Sequence, residues 1–112
     1  MKALFVELPS FERYRQDYLP DDQYRQLQIF LLQAPKAGDV IASTGGLRKL
    51  RYLDPARGKG KRGGLRVIYF WYEKKKQFWM FTLYNKDEMD DLDLKERKAL
   101  MKRLNQELDA RK

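Results

Sequence analysis

Two runs of residues constrain this chain more than any others. Leu65-Arg-Val-Ile-Tyr-Phe-Trp-Tyr72 and Phe78-Trp-Met-Phe-Thr-Leu-Tyr84 are rich in β-branched and aromatic residues, and the polar Glu73-Lys-Lys-Lys-Gln77 separates them. Such runs favour strands, and the short polar insert reads as a hairpin turn. A hairpin alone is at best marginal in water, so the rest of the chain must cover it. With 112 residues, 43% of them apolar, there is material for one core, and a single domain over 1–112 is expected.

The other elements fall around that hairpin. Lys2 to Glu7 alternates weakly and reads as a strand. Pro9 and Ser10 start a short helix with Phe11, Tyr14 and Tyr18 at helical spacing. After Pro20-Asp21-Asp22 a second helix carries Tyr24, Leu27, Phe30 and Leu31 on one face, and Pro35 ends it. Val40-Ile41 is a short extended piece, Thr44-Gly45-Gly46 a turn, and Leu47 to Leu53 a strand. Asp54 to Gly64 reads as a long loop. Asp90 to Arg111 is a helix, with Asp93 and Glu96 in capping-box spacing and Leu100, Leu104 and Leu108 recurring every fourth residue. The order is β-α-α-β-β-β-α. This predicts an α+β fold: an antiparallel sheet with helices on one face and the other face partly open.

Charge singles out one segment. Leu47 to Arg66 holds eight basic residues and one acid, a net +7, whereas the whole chain is +8. A concentrated basic patch suits a polyphosphate partner, because each cation set against a phosphate releases counterions. Side chains alternate along a strand, so Lys49 and Arg51 share one face while Leu50 and Tyr52 share the other. On the next strand Arg66 shares its face with Ile68, Phe70 and Tyr72. The loop between them adds Arg57, Lys59, Lys61 and Arg62, with glycines that let backbone approach a phosphate. If the hairpin is regular, Tyr84 and Lys86 end the third strand nearby, with Tyr84 placed to stack on a base.

Other patterns have plainer readings. Lys74-Lys75-Lys76 solubilises a hairpin, and Tyr69, Phe70, Trp71, Tyr72, Phe78 and Trp79 read as core. Asp87, Glu88, Asp90, Asp91 and Asp93 read as acids complementing a helix N-terminus rather than as a metal site. The Gly-Lys-Gly-Lys sequence lacks P-loop spacing.

The chain has no cysteine and no histidine. Thiolate catalysis, Cys/His zinc sites and histidine proton transfer are excluded, so proton transfer would fall to Lys, Tyr, Asp or Glu. No cofactor is expected. Met1 to Glu7 lacks a signal-peptide core, and no apolar run nears the ~20 residues of a membrane span. A cytoplasmic protein without membrane contact is expected.

Three segments together resemble HigB-type toxins of the RelE/ParE superfamily: Gly46-Leu-Arg-Lys-Leu-Arg51, Gly58-Lys-Gly-Lys-Arg-Gly-Gly-Leu-Arg-Val-Ile-Tyr69, and Leu83-Tyr-Asn-Lys-Asp-Glu-Met-Asp-Asp-Leu92. The resemblance implies the toxin of a bacterial type II toxin–antitoxin pair, a metal-independent endoribonuclease that enters the ribosomal A site and cuts mRNA by attack of its own 2′-hydroxyl. It also implies a neutralising antitoxin, and a free toxin expected to be monomeric. By position, Arg66 matches the family's strand arginine at the scissile phosphate. Arg48, Lys49, Arg51, Arg57 and Arg62 are assigned to RNA and ribosome contact. Lys59, Lys61, Tyr84 and Lys86 are the candidates for proton transfer and charge neutralisation. The chain departs from RelE after the third meander strand, where Lys86 stands nearest to the RelE arginine, and the last tyrosine is Tyr84. Two other readings remain open at this stage: a ParE-like inhibitor of DNA gyrase, and an RNA-binding module without catalysis.

Overall fold

The computed structural model describes residues 1–53, 64–88 and 91–111. Its elements are β1 (Leu4–Glu7), α1 (Pro9–Tyr18), α2 (Asp21–Gln33), β2 (Asp39–Val40), β3 (Arg48–Tyr52), β4 (Leu65–Tyr72), β5 (Gln77–Asn85) and α3 (Leu94–Ala110). The five strands form one sheet in the order β1-β5-β4-β3-β2. β2 through β5 are antiparallel, as expected, but β1 runs parallel to β5 along its outer edge, with Phe5 opposite Phe78. The sheet is therefore mixed. Stacking of those two rings, centroids 4.7 Å apart, anchors the added edge.

The α+β class holds, and the element order holds with one addition, the two-residue strand β2 near the extended piece expected at Val40-Ile41, but the helices divide between the faces. Leu50, Val67, Tyr69, Phe78 and Met80 pack with Phe11 of α1 and Leu27 and Leu31 of α2. Ile68, Trp79 and Phe81 pack with Leu104 of α3 and with Leu92. Neighbouring residues on one strand point to opposite faces, so α3 covers the face that the sequence reading left open. The aromatics on that side explain why: Trp79 is fully buried only because α3 lies over it.

Local signals set the helix ends. Pro9 fills the first turn of α1, where its missing N–H costs nothing. α2 stops at Gln33, just short of Pro35. Phe30, expected on the buried face of α2, is 37% exposed and packs instead against Tyr52, centroids 6.2 Å apart. α3 starts at Leu94, later than the Asp90 expected, because Asp93 is the N-cap: its carboxylate accepts from Glu96 N–H at 2.8 Å while Glu96 accepts from Asp93 N–H at 3.0 Å. The Gly45-Gly46 turn needs positive φ, +82° and +119°, and a side chain at Gly45 would stand against Leu104 of α3. Among the described residues no helix is long and apolar enough to cross a membrane.

Candidate functional site

The basic residues converge on the α3 side of the sheet. Arg51 of β3 pairs with Arg66 of β4, and Arg66 pairs with Tyr84 of β5, so the three form one cross-strand row. Lys49 lies in the adjacent row, opposite Ile68. Neighbours across a sheet bring their Cβ atoms within ~5 Å, close enough for these side chains to act on one ligand.

An irregularity in the hairpin makes this row. From the turn, Tyr72 pairs with Gln77 and Tyr69 with Met80, but Ile68 pairs with Thr82, which leaves Phe81 as an extra residue. In a regular hairpin Arg66 would face Leu83 and Tyr84 would point to the α1 and α2 side. The bulge reverses the alternation of β5 and brings Tyr84 alongside Arg66.

The side chains differ in setting. Arg51 is exposed, whereas Arg66 keeps 5% of its surface. A guanidinium so enclosed is held in place by its surroundings, and its Nη1 reaches the Gly64 carbonyl at 3.5 Å. Tyr84 keeps 6% and is not the open stacking platform expected from sequence, because α3 and Leu92 cover its ring. Its hydroxyl has no hydrogen-bond partner among the described residues. Burial raises the Tyr84 pKa, the nearby Asp91 charge adds to the rise, and Arg66 opposes it. The phenol is therefore neutral at physiological pH and suited to donating a proton or a hydrogen bond, not to accepting a proton.

Lys86 is exposed just beyond β5, and its N–H donates to the Gly64 carbonyl at 3.3 Å, which ties it to the start of β4. Arg48 is not part of this face. It has the parity of Leu50, and its Nη1 donates to the Gly38 carbonyl at 2.8 Å. Arg57, Lys59, Lys61 and Arg62 lie outside the described residues.

Two further residues complete the face: Asp91, read from the sequence only as one of the acids before the last helix, and Arg97, which the sequence reading did not single out. The Asp91 carboxylate lies 3.5 Å from Lys49 Nζ and 3.7 Å from Arg97 Nη2. Arg97 Nε donates to the Leu92 carbonyl at 3.1 Å, which fixes the guanidinium at the start of α3. The Leu92 N–H above all holds the Asp91 carboxyl below the usual carboxylate range, with Lys49 and Arg97 adding to the effect. The signal for Arg97 was its place four residues after the Asp93 cap, informative only once α3 is known to lie over β3 and β4.

One cavity lies elsewhere. A groove of about 730 Å³ runs between α1, the end of β5 and α3, walled by Leu8, Phe81, Leu83 and Leu100, and it meets the charged row only at Tyr84. Glu88, Glu96 and Arg103 also line this groove, so it lacks the concentrated positive charge of the row.

The architecture has known counterparts. The toxin–antitoxin complex RelBE of E. coli contains a chain matching 73% of this one and 94% of its own length, with a TM-score of 0.50 and 14% identity. A double arginine-to-alanine variant of the E. coli toxin RelE in the free state matches over 80% of this chain and 90% of its own, with a TM-score of 0.53 and 14% identity. The fold is that of RelE. No protein-family model matches the chain. On this RelE fold the row Arg51–Arg66–Tyr84 crosses the sheet beneath the start of α3.

Proposed function

We propose that this protein is the toxin of a bacterial type II toxin–antitoxin pair, of the HigB type, and that it cleaves mRNA on the ribosome. The observation that carries the reading is the cross-strand row Arg51–Arg66–Tyr84 with Lys49 beside it: cations, one of them enclosed, next to a neutral phenol on one sheet face. The three-segment sequence resemblance and the RelE fold support it. The RelBE complex is a toxin bound to its antitoxin, and a cognate antitoxin is proposed as the partner here.

RNA cleavage needs no nucleophile from such a protein. The 2′-oxygen attacks the adjacent phosphorus, the bond to the 5′-oxygen breaks, and a 2′,3′-cyclic phosphate and a 5′-hydroxyl result. The 2′-hydroxyl proton leaves to a base and another proton reaches the departing 5′-oxygen. The protein must align the attack, stabilise the charge that builds on the phosphorane and move protons. In this reading Arg66, held rigidly by its burial, neutralises the phosphorane, Arg51 and Lys49 hold the flanking backbone, and Tyr84 donates. The base is assigned among Lys59, Lys61 and Lys86.

The test is mRNA integrity in an in vitro translation reaction, with the purified protein and an Arg66→Lys variant. Lysine keeps the charge but loses the planar fork of donors. Codon-positioned cuts that require ribosomes and drop at least a hundredfold in the variant are expected. Intact mRNA with continuing synthesis would remove this reading.

A further inference from the structure

The basic face already holds an anion of its own. Asp91 divides its carboxylate between two cations from distant parts of the chain: Oδ1 toward Lys49 on β3, and Oδ2 toward Arg97 on α3. Only the packing of α3 on the sheet brings these two together. Their side chains are 22% and 27% exposed, so the fold, not Asp91, sets their positions. Asp91 itself is 54% exposed, and both its ion pairs are long, at 3.5 and 3.7 Å. Charge-assisted hydrogen bonds close to ~2.7–2.9 Å, and exposed pairs of this kind hold weakly. The firmest contact of the carboxylate is its 2.8 Å bond from the Leu92 N–H, which keeps it beside the cations.

We infer that Lys49 and Arg97 form a second phosphate subsite of the RNA-binding face, and that Asp91 is its tethered internal competitor. A phosphodiester presents the same features as the carboxylate, one negative charge shared by two outer oxygens. RNA that enters this subsite displaces Asp91. The inference rests on the RNA-cleaving reading of this face and adds regulation to it. Free RNA meets a carboxylate already in place, whereas RNA held by the ribosome arrives at high effective concentration and wins the exchange. Ribosome dependence would then be partly built into the toxin.

The test is binding of a short single-stranded oligoribonucleotide, 2′-O-methylated throughout to block cleavage, at several salt concentrations. The proteins are wild type, Asp91→Asn, Arg97→Gln and the double variant, with Asp17→Asn on α1 as a charge-matched control. Asparagine keeps an oxygen for the Leu92 N–H. Asp91→Asn should tighten binding about three- to tenfold, well beyond Asp17→Asn. Arg97→Gln should weaken binding, lower the salt slope by about one, and reduce the gain from Asp91→Asn. Equal gains from Asp91→Asn with and without Arg97, or no gain beyond Asp17→Asn, would overturn the subsite. The translation assay separates this from the parent reading. Wild-type cutting without the Asp91 effect sinks only the subsite. The Asp91 effect without any cutting sinks only the nuclease.

Discussion

At the scale of single residues, the site joins one side chain whose position is fixed by enclosure with others that reach solvent. Arg66 is enclosed and Arg51 is exposed, yet they are paired across the sheet. An exposed arginine loses entropy when it grips a ligand, whereas an enclosed one has lost it during folding. Arg51→Ala should therefore weaken RNA binding with little effect on stability, and Arg66→Lys should act mainly on the rate of cleavage. Comparing single-turnover rates with binding constants checks that division; equal effects on both constants in both variants would argue against it. Tyr84 gives a sharper case. Its buried hydroxyl has no partner among the described residues, so Tyr84→Phe should change stability by no more than about 1 kcal/mol in either direction. If the phenol donates a proton, the same variant should lose at least tenfold in cleavage. Loss of stability and activity together would make Tyr84 a structural residue only.

At the scale of elements, α3 determines whether the site exists. It covers the face carrying the row and delivers Asp91 and Arg97 to Lys49. Leu104 is its fully buried anchor, facing the turn at Gly45. Leu104→Ala should cost ~2–5 kcal/mol in denaturant unfolding, since it leaves a cavity under the helix. Asp93→Ala, which removes the cap, should cost only ~1 kcal/mol. A larger loss from the cap than from the anchor would show that α3 is held by its end rather than by its seat. The same contrast explains what the sequence made legible. The Asp93–Glu96 box, the stop before Pro35, the Leu65–Tyr84 hairpin and the alternation that pairs Lys49 with Arg51 are all local, within a few residues. The parallel entry of β1 beside β5 and the seat of α3 on the basic face depend on contacts between residues far apart in the chain. Periodicity reports that a strand or helix has an apolar side, not which surface that side meets. Tyr84 lies between these cases: the hairpin was legible, but the extra residue at Phe81 that turns Tyr84 toward Arg66 carries no glycine or other local mark.

At the scale of the whole molecule, buried and half-buried tyrosines tie the fold to pH. Tyr24, Tyr52, Tyr69 and Tyr84 all have pKa values raised above 10.0, with burial as the leading cause in each. Tyr24 is raised further by Glu7, and Tyr69 is held back by its contact with Gly38, whose N–H donates to the phenol oxygen at 3.1 Å. A folded-state pKa above the unfolded value favours the protonated phenol in the native protein. The stability this gives is complete below pH 10 and is lost as pH rises through the folded-state values. These residues sit on β3, β4, β5 and α2, so ionising any of them strains the same sheet and its helices. Stability measured by denaturant should therefore be level near neutral pH and fall steeply from about pH 10 upward, with the phenolate absorbance of these four residues rising in step with unfolding rather than ahead of it. Tyr84→Phe should make that fall shallower, because it removes one of the linked groups without disturbing the other three. A flat stability profile up to about pH 12, or free titration of these phenols in a protein that remains folded, would mean that the tyrosines are less enclosed than the packing around them implies.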